Sequence, residues 1–256
     1  MSPASPAPSD PLRLLAASVI PEDAAEPFGV YVFRSDDDRS ELARHVERVV
    51  FLEAFGNTTE LLAKEYAPYE QASMFLCVLD QRRHLPVGMM RVVMPSPAGF
   101  KSLLDVEPVW GVDVGTLFGR AGLVHEPERT WDVATLAVAA EYRGRATTGL
   151  VSMGLYQTLT RIARRCGVDW LVAIFDVAVL RMIRWKLRMT FTGFTGVGAA
   201  SYLGSPASIP AWCRISDADR RLGDADPVLH AVLFDGVGIE PAVRPADVEH
   251  AWRLVA

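Results

Sequence analysis

Residues 131–149, WDVATLAVAAEYRGRATTG, decide how the rest of the chain is read. From 131 to 139 every residue is apolar except Asp132 and Thr135, which suits a strand covered on both faces. Glu141 to Arg145 break that run, and a helical period starts near Ala146. The segment therefore predicts a strand, a basic turn holding Arg143, Gly144 and Arg145, and a helix. Backbone N–H groups at such a helix start, reinforced by the helix dipole, make an anion site. Such a turn can hold a pyrophosphate or a phosphopantetheine. It is equally the form of an ordinary strand-to-helix turn in an α/β protein.

Downstream, Leu150, Met153, Tyr156, Leu159, Ile162, Ala163 and Cys166 repeat on one helical face, and Gly167 ends it. VDWLVAIF (168–175) is a second buried strand, followed by a helix over 178–189. Strands are expected at 191–197 and 211–215, with SYLGSPASIP as the loop between them. Residues 216–256 read as a C-terminal helical extension. Upstream, GVYVF (29–33) is a strand, and the Ser35 to Asp38 cluster caps a helix carrying Leu42, Val46, Val49, Val50 and Leu52. NTTE (57–60) caps the helix TELLAKEY, which Pro68 stops. SMFLCVLD (73–80) and VGMMRVVM (87–94) form a hairpin across QRRHLP. Residues 95–130 are a long connection with one or two short helices. Five prolines within the first 21 positions mark 1–28 as a flexible tail. The sum is an α/β protein: a mixed sheet with a parallel central pair, flanked by helices, over residues 29–215.

At 256 residues with half of them hydrophobic, the chain can bury a full core. A net charge of −5 argues against nucleic acid as a partner. Three widely spaced cysteines, Cys77, Cys166 and Cys213, suggest a reducing compartment and no disulfide framework. The start lacks the pattern of a signal peptide, and no apolar run reaches about 18 residues, so a cytoplasmic protein without integral membrane contact is expected. Five histidines show no metal-ligand spacing, so no metal is expected, and GxSxG is missing.

Two apolar strands carry charge where charge is costly. Arg91 lies in GMMRVVM and Asp132 in the central strand, so each needs a partner: a buried Arg–Asp pair, or a ligand. Glu65 and Glu70 sit in KEYAPYEQ, where a solvated turn is the simplest reading of Glu65. Arg181, Arg184 and Arg188 share one helical face, as a solvated stripe or a surface for phosphate or an acidic carrier protein.

The order of elements and the block WDVATLAVAAEYRGRATTG resemble the GNAT superfamily of N-acyltransferases, a three-layer fold around a mixed sheet. There the central strand leads into a pyrophosphate turn of pattern R/Q-x-x-G-x-G/A. Here the matching residues are Arg143, Gly144, Arg145, Ala146, Thr147 and Thr148, with Ala146 and Thr148 at the small-residue positions. The tyrosine acid of the family's later helix is replaced within RWKLRM. RVVFLEAFG, EYAPYE, VGMMRVVM and WDVATLAV follow the order seen in acyl-homoserine-lactone synthases and long-chain N-acyl amino acid synthases, over about residues 45–200. Arg48 and Phe51 resemble that branch's early Arg/Phe pair, Arg91 its strand arginine, and Asp132 stands where its central-strand Glu stands. Of the two aspartate positions in its E-Y-D-x-Y-D segment only one keeps a carboxylate, as Glu70, Ala67 filling the other, and Thr135 replaces an arginine. Those departures remove the expectation of lactone synthesis.

The resemblance implies transfer of a fatty acyl group to a primary amine from acyl-CoA or from the phosphopantetheine of an acyl carrier protein. The thioester would lie between strands 131–138 and 168–175, with the N–H groups of Val138 and Ala139 on its carbonyl and the turn 143–148 on its phosphates. Asp132 or Glu70 would take the proton from a small-molecule amine. Arg91 would orient those carboxylates or bind a carboxylate of the acceptor, with Arg48, Phe51 and Thr135 also at the substrate. Met74, Met89, Met90, Met94 and Leu103 are candidate walls of an acyl tunnel. The altered turn leaves two alternatives: a module that binds an acyl thioester or lipid without turnover, and a short-chain acetyltransferase.

Overall fold

The computed structural model describes residues 10–144, 147–246 and 248–255. Its elements run α1 (Pro11–Val19), β1 (Phe28–Arg34), α2 (Glu41–Phe55), α3 (Thr59–Tyr66), β2 (Ser73–Asp80), β3 (Leu85–Val93) and three short helices, α4 (Lys101–Leu104), α5 (Val106–Trp110) and α6 (Val114–Arg120). Then come β4 (Thr130–Val138), α7 (Leu150–Arg165), β5 (Trp170–Asp176), α8 (Val177–Lys186), β6 (Thr192–Gly193), β7 (Ala200–Tyr202) and β8 (Ser205–Arg214). The chain closes with α9 (Ile215–Ala225), α10 (Pro227–His230), β9 (Val243–Pro245) and α11 (Val248–Val255). The described strands form one nine-stranded mixed sheet in the order β6-β8-β5-β4-β3-β2-β1-β9, with β7 on β8. No described helix is long and apolar enough to cross a membrane.

Helices cover both faces. The long helix α7 places Val151, Leu155, Leu159 and Ile162, all at 0% exposure, against the sheet, joined by Leu180 and Ile183 of α8. Across the sheet, α1 and α2 pack Ala16, Leu42, Val46 and Val50 onto Phe75, Cys77 and Met89. Beside them, Phe100, Leu103, Leu117 and Phe118 from the connection after β3 lie over Val172 of β5.

Four expectations change. Within the supposed tail, residues 11–19 form α1: Asp10 caps it, Pro11 occupies the first turn where a missing N–H costs nothing, and Ala16 is fully buried. Residues 1–9 lie outside the described part. The region read as the loop SYLGSPASIP is mostly strand, a β7–β8 hairpin, while 191–197 yields only the two residues of β6. The helix expected from near Ala146 begins at Leu150, after Gly149 with φ +84°. The C-terminal extension is part of the sheet, since β9 runs parallel to β1 at its edge and Val243 is fully buried.

Two irregularities shape the site. β4 pairs with β5 only at Thr130–Trp170, Trp131–Leu171 and Asp132–Val172, so the strands are unpaired from Val133 onward. On its other edge β4 carries a bulge: Arg91 faces Thr135 but Val92 faces Val133, leaving Ala134 as the extra residue. Strict alternation would put Asp132 and Thr135 on opposite faces, and the bulge puts them on the same one.

Candidate active site

Beyond Asp132 the opening between β4 and β5 is a cleft with backbone on one wall. Ala139 N–H donates to Val87 O at 2.9 Å, so the 139/87 pair and, by antiparallel alternation, the 137/89 and 135/91 pairs carry the ladder bonds. The N–H and C=O of Leu136 and Val138 therefore point to the open side. Ala139 is corrected here, because its N–H is spent in the ladder. Val138 keeps its N–H facing the cleft, while its carbonyl accepts from Arg143 Nε at 2.6 Å.

The cleft opens into a cavity of about 820 Å³. One end is the turn, with Arg143, Gly144, Thr148, Gly149 and Ser152. Apolar walls come from Phe51, Ala54 and Phe55 of α2 and from Val179, Met182 and Trp185 of α8, Trp185 being 74% exposed. Gly144, Thr148 and Gly149 have φ of +61°, +52° and +84°. Thr148 thus keeps the left-handed backbone that a small residue serves more cheaply, at a position where the resemblance expects one. Buried Thr147 braces the turn from Oγ1 to Tyr142 O at 2.7 Å. Arg145 and Ala146 lie outside the described residues.

A smaller cavity of about 90 Å³ continues the cleft, lined by Phe51, Phe55, Tyr66, Thr135, Asp176 and Tyr202 among others. The β7–β8 turn closes it. A Cβ on Gly204 would meet Phe55 O at 2.3 Å, so only glycine lets the hairpin sit on the end of α2. Asn57 Nδ2 donates to Leu203 O at 3.0 Å and fixes the same contact.

Behind this cavity lies a buried charge network. Arg91, 4% exposed, donates from Nε and Nη2 to Glu47 at 3.0 and 2.7 Å and from Nη1 to Glu70 at 2.8 Å. Glu70 also pairs with Arg44. Thr135 donates to Glu47 at 2.6 Å. Tyr66 and Phe75 stack on the Arg91 guanidinium at 4.4 and 4.6 Å. Burial opposes charge on Glu70, yet Arg44 and Arg91 outweigh it and hold the carboxyl below its ordinary range. Burial likewise opposes the Arg91 cation, and Glu47 and Glu70 more than restore it.

Asp132 stands apart from that network. It is fully buried and accepts from Ser102 N–H at 2.8 Å and from Ser102 Oγ at 2.6 Å, so the buried Arg–Asp pair does not form. Burial raises its pKa from 3.8 to about 6, against the pull of Ser102 and Lys101. A folded-state pKa above the unfolded one means stability that is full below about pH 4 and lost as pH rises through 6. Two pKa units correspond to about 3 kcal/mol. Urea unfolding of wild type and Asp132→Asn from pH 4 to pH 7 should therefore show wild type losing about 3 kcal/mol relative to the variant; parallel curves would mean that Asp132 does not titrate there.

Other expectations shift. Glu65 is no solvated turn residue but belongs to α3 and receives Lys101 at 2.7 Å, as Asp105 does at 2.6 Å. Burial opposes the Lys101 charge, and the two carboxylates hold its pKa above the ordinary value. Tyr202 donates to Asp105, and burial pushes its pKa well up. Arg48 pairs with Glu41 on α2 and lines neither cavity, whereas Phe51 lines both. The arginine stripe is broken: α8 ends at Lys186, Arg184 donates to Phe191 O at 2.6 Å, and Arg188 follows with φ +51°. No methionine tunnel exists in that set: Met74 and Met90 pack on one face of the sheet and Met89 on the other, all at 0% exposure. Glu47, Arg44, Ser102, Asp176, Tyr66 and Tyr202 were not singled out from sequence. Only Glu47 left a clear trace, standing four residues after Ala43 and three before Val50 on the buried stripe of α2.

Solved structures share this fold. FeeM, an N-acyl amino acid synthase from uncultured soil microbes, superposes with TM-score 0.57 at 12% identity, over 77% of this chain and 96% of that one. The CoA-dependent acyl-homoserine lactone synthase BjaI, solved with MTA, gives 0.54 at 14% identity over 89% and 98%. Its structure with SAM and isopentyl-CoA gives 0.52. No protein-family model and no curated protein matches the sequence. At these identities the likeness establishes the fold, which is the GNAT-like one that the order of elements resembles.

Proposed function

We propose that this chain is an N-acyltransferase moving a fatty acyl group from a CoA or carrier-protein thioester to a primary amine. The observation that carries this reading is the parting of β4 from β5 beyond Asp132, with the backbone of Leu136 and Val138 facing a cavity that ends at the 143–149 turn. A pantetheine arm would extend β4 there as a strand does, its phosphates on the turn and on the start of α7 beyond Leu150, whose own N–H donates to Thr147 O at 2.9 Å. Val138 N–H would polarise the thioester carbonyl. The fold shared with an N-acyl amino acid synthase and an acyl-homoserine lactone synthase supports this chemistry.

Attack requires a neutral amine. Asp132, with a pKa near 6, is the proposed proton acceptor, a base matched to neutral pH. It does not line the cavities, so the proton would travel through water or the Tyr66 hydroxyl, which sits at the bulge 3.4 Å from Ala134 O. Glu70 is held by two arginines and serves to position Arg91 rather than to receive a proton. RWKLRM offers no tyrosine acid, and Tyr66, on the wall of the smaller cavity, would return a proton to the departing sulfur.

Thiol release over acyl donors from acetyl to hexadecanoyl, each as CoA and carrier-protein thioester, with pooled amines and product masses, tests this reading. Long-chain amides are expected. Acetylation alone would replace the reading with a short-chain acetyltransferase. Donor binding without release would replace it with a binding module, which the strained turn at Thr148 favours.

A further inference from the structure

The smaller cavity identifies a class of acceptor, an inference that rests on the acyl-transfer reading. Its lining, among the described residues, contains one carboxylate, Asp176, and no arginine, lysine or histidine. Nearby cations are already paired: Arg91 with Glu47 and Glu70, Arg44 with Glu70, Lys101 with Glu65 and Asp105, and Arg48 with Glu41. The carboxylate of an α-amino acid would enter this cavity next to Asp176 with no cation to meet it, an arrangement that desolvation and like charge both penalise.

An ammonium meets the opposite conditions. Asp176 Oδ1 accepts from Ala178 N–H at 2.8 Å and Val179 N–H at 3.3 Å, while Oδ2 accepts only from Ser205 Oγ at 2.8 Å, so Oδ2 has a lone pair left for an ammonium. Phe51, Phe55, Tyr66 and Tyr202 line the same cavity, and ring faces attract cations. We propose that the acceptor is a primary amine without a carboxylate, held as its ammonium by Asp176 within this aromatic cavity. On reaction the nitrogen attacks the thioester carbon, the C–N bond forms, and the C–S bond breaks with its electron pair leaving on sulfur. Of the two protons the nitrogen gives up, one ends on that sulfur and one in solvent.

Matched pairs differing only by the carboxylate test this: tyramine with tyrosine, phenethylamine with phenylalanine, putrescine with ornithine. Each is offered to the full chain with dodecanoyl-CoA, reading kcat/KM from thiol release and product mass. Binding of each is measured separately by calorimetry on the complex with a non-transferable thioether analogue of the donor. At least one amine should exceed its amino acid tenfold in kcat/KM or in affinity. Asp176→Asn, which keeps the α8 cap, should raise KM for that amine at least tenfold while kcat changes less than threefold. Equal or better use of the amino acids overturns the proposal, as does binding of neither member of any pair. Selective amine binding without amide formation would sink the acyl-transfer reading alone and leave the acceptor assignment standing.

Discussion

Arg91→Met should cost about 3–5 kcal/mol and lower the melting temperature by about 10 °C, read by calorimetry or by urea unfolding. The reason is what remains. Glu47 is 2% exposed and would keep one hydrogen bond, from Thr135, with no cation beside it. Glu70 would retain Arg44, so the loss falls mainly on Glu47. Total stability of a domain is about 5–15 kcal/mol, so the variant stands near the edge of folding. Replacing both partners, Arg91→Met with Glu47→Leu, should recover at least half of the loss, because an apolar pair of similar volume is often no worse than a buried ion pair. If the double variant is as unstable as the single one, the network stabilises through its geometry rather than by neutralising Glu47. In either case Thr135 loses its acceptor in the double variant, so activity should stay low after stability returns.

The same network shows what sequence makes legible. Arg91 amid methionine and valine announces a buried partner, but the partner is Glu47 on α2, 44 residues away, and not the Asp132 that shares its sheet. Two local facts mislead. The bulge at Ala134 has no signature in WDVATLAV, yet it sets which face Asp132 and Thr135 occupy. Asp132 is satisfied by Ser102, a residue in a connection where apolar fragments reveal helices but not contacts. The hairpin strands SMFLCVLD and VGMMRVVM were readable because continuous apolar runs end at turn residues. SYLGSPASIP failed because Gly204, Pro206 and Pro210 look like loop punctuation, while β8 tolerates its prolines as part of a strand that pairs with β5. Periodicity speaks for helices and strands one at a time; the cleft arises where two strands stop pairing, and no single strand's pattern records that.

Ala54→Trp should cut transfer of a dodecanoyl group about a hundredfold in kcat/KM while changing acetyl transfer less than threefold. Ala54 is exposed on α2 yet lines the larger cavity opposite Met182 and Val179, so an indole there fills space without entering the core. Each methylene kept from an apolar wall forfeits about 0.8 kcal/mol, and excluding three or four of them removes about 3 kcal/mol of transition-state binding. That is about two powers of ten in rate. Acetyl has no methylenes to lose, and its pantetheine would bond to the β4 backbone rather than rest on the Ala54 side chain. The paired measurement, thiol release from dodecanoyl-CoA and from acetyl-CoA by the same preparation, separates a filled acyl groove from a damaged fold, since misfolding lowers both rates together. Equal loss for both donors would move the acyl chain out of the space between α2 and α8. Unchanged transfer of the long chain would do the same and leave that groove to the pantetheine arm, or to the carrier protein's surface around Trp185.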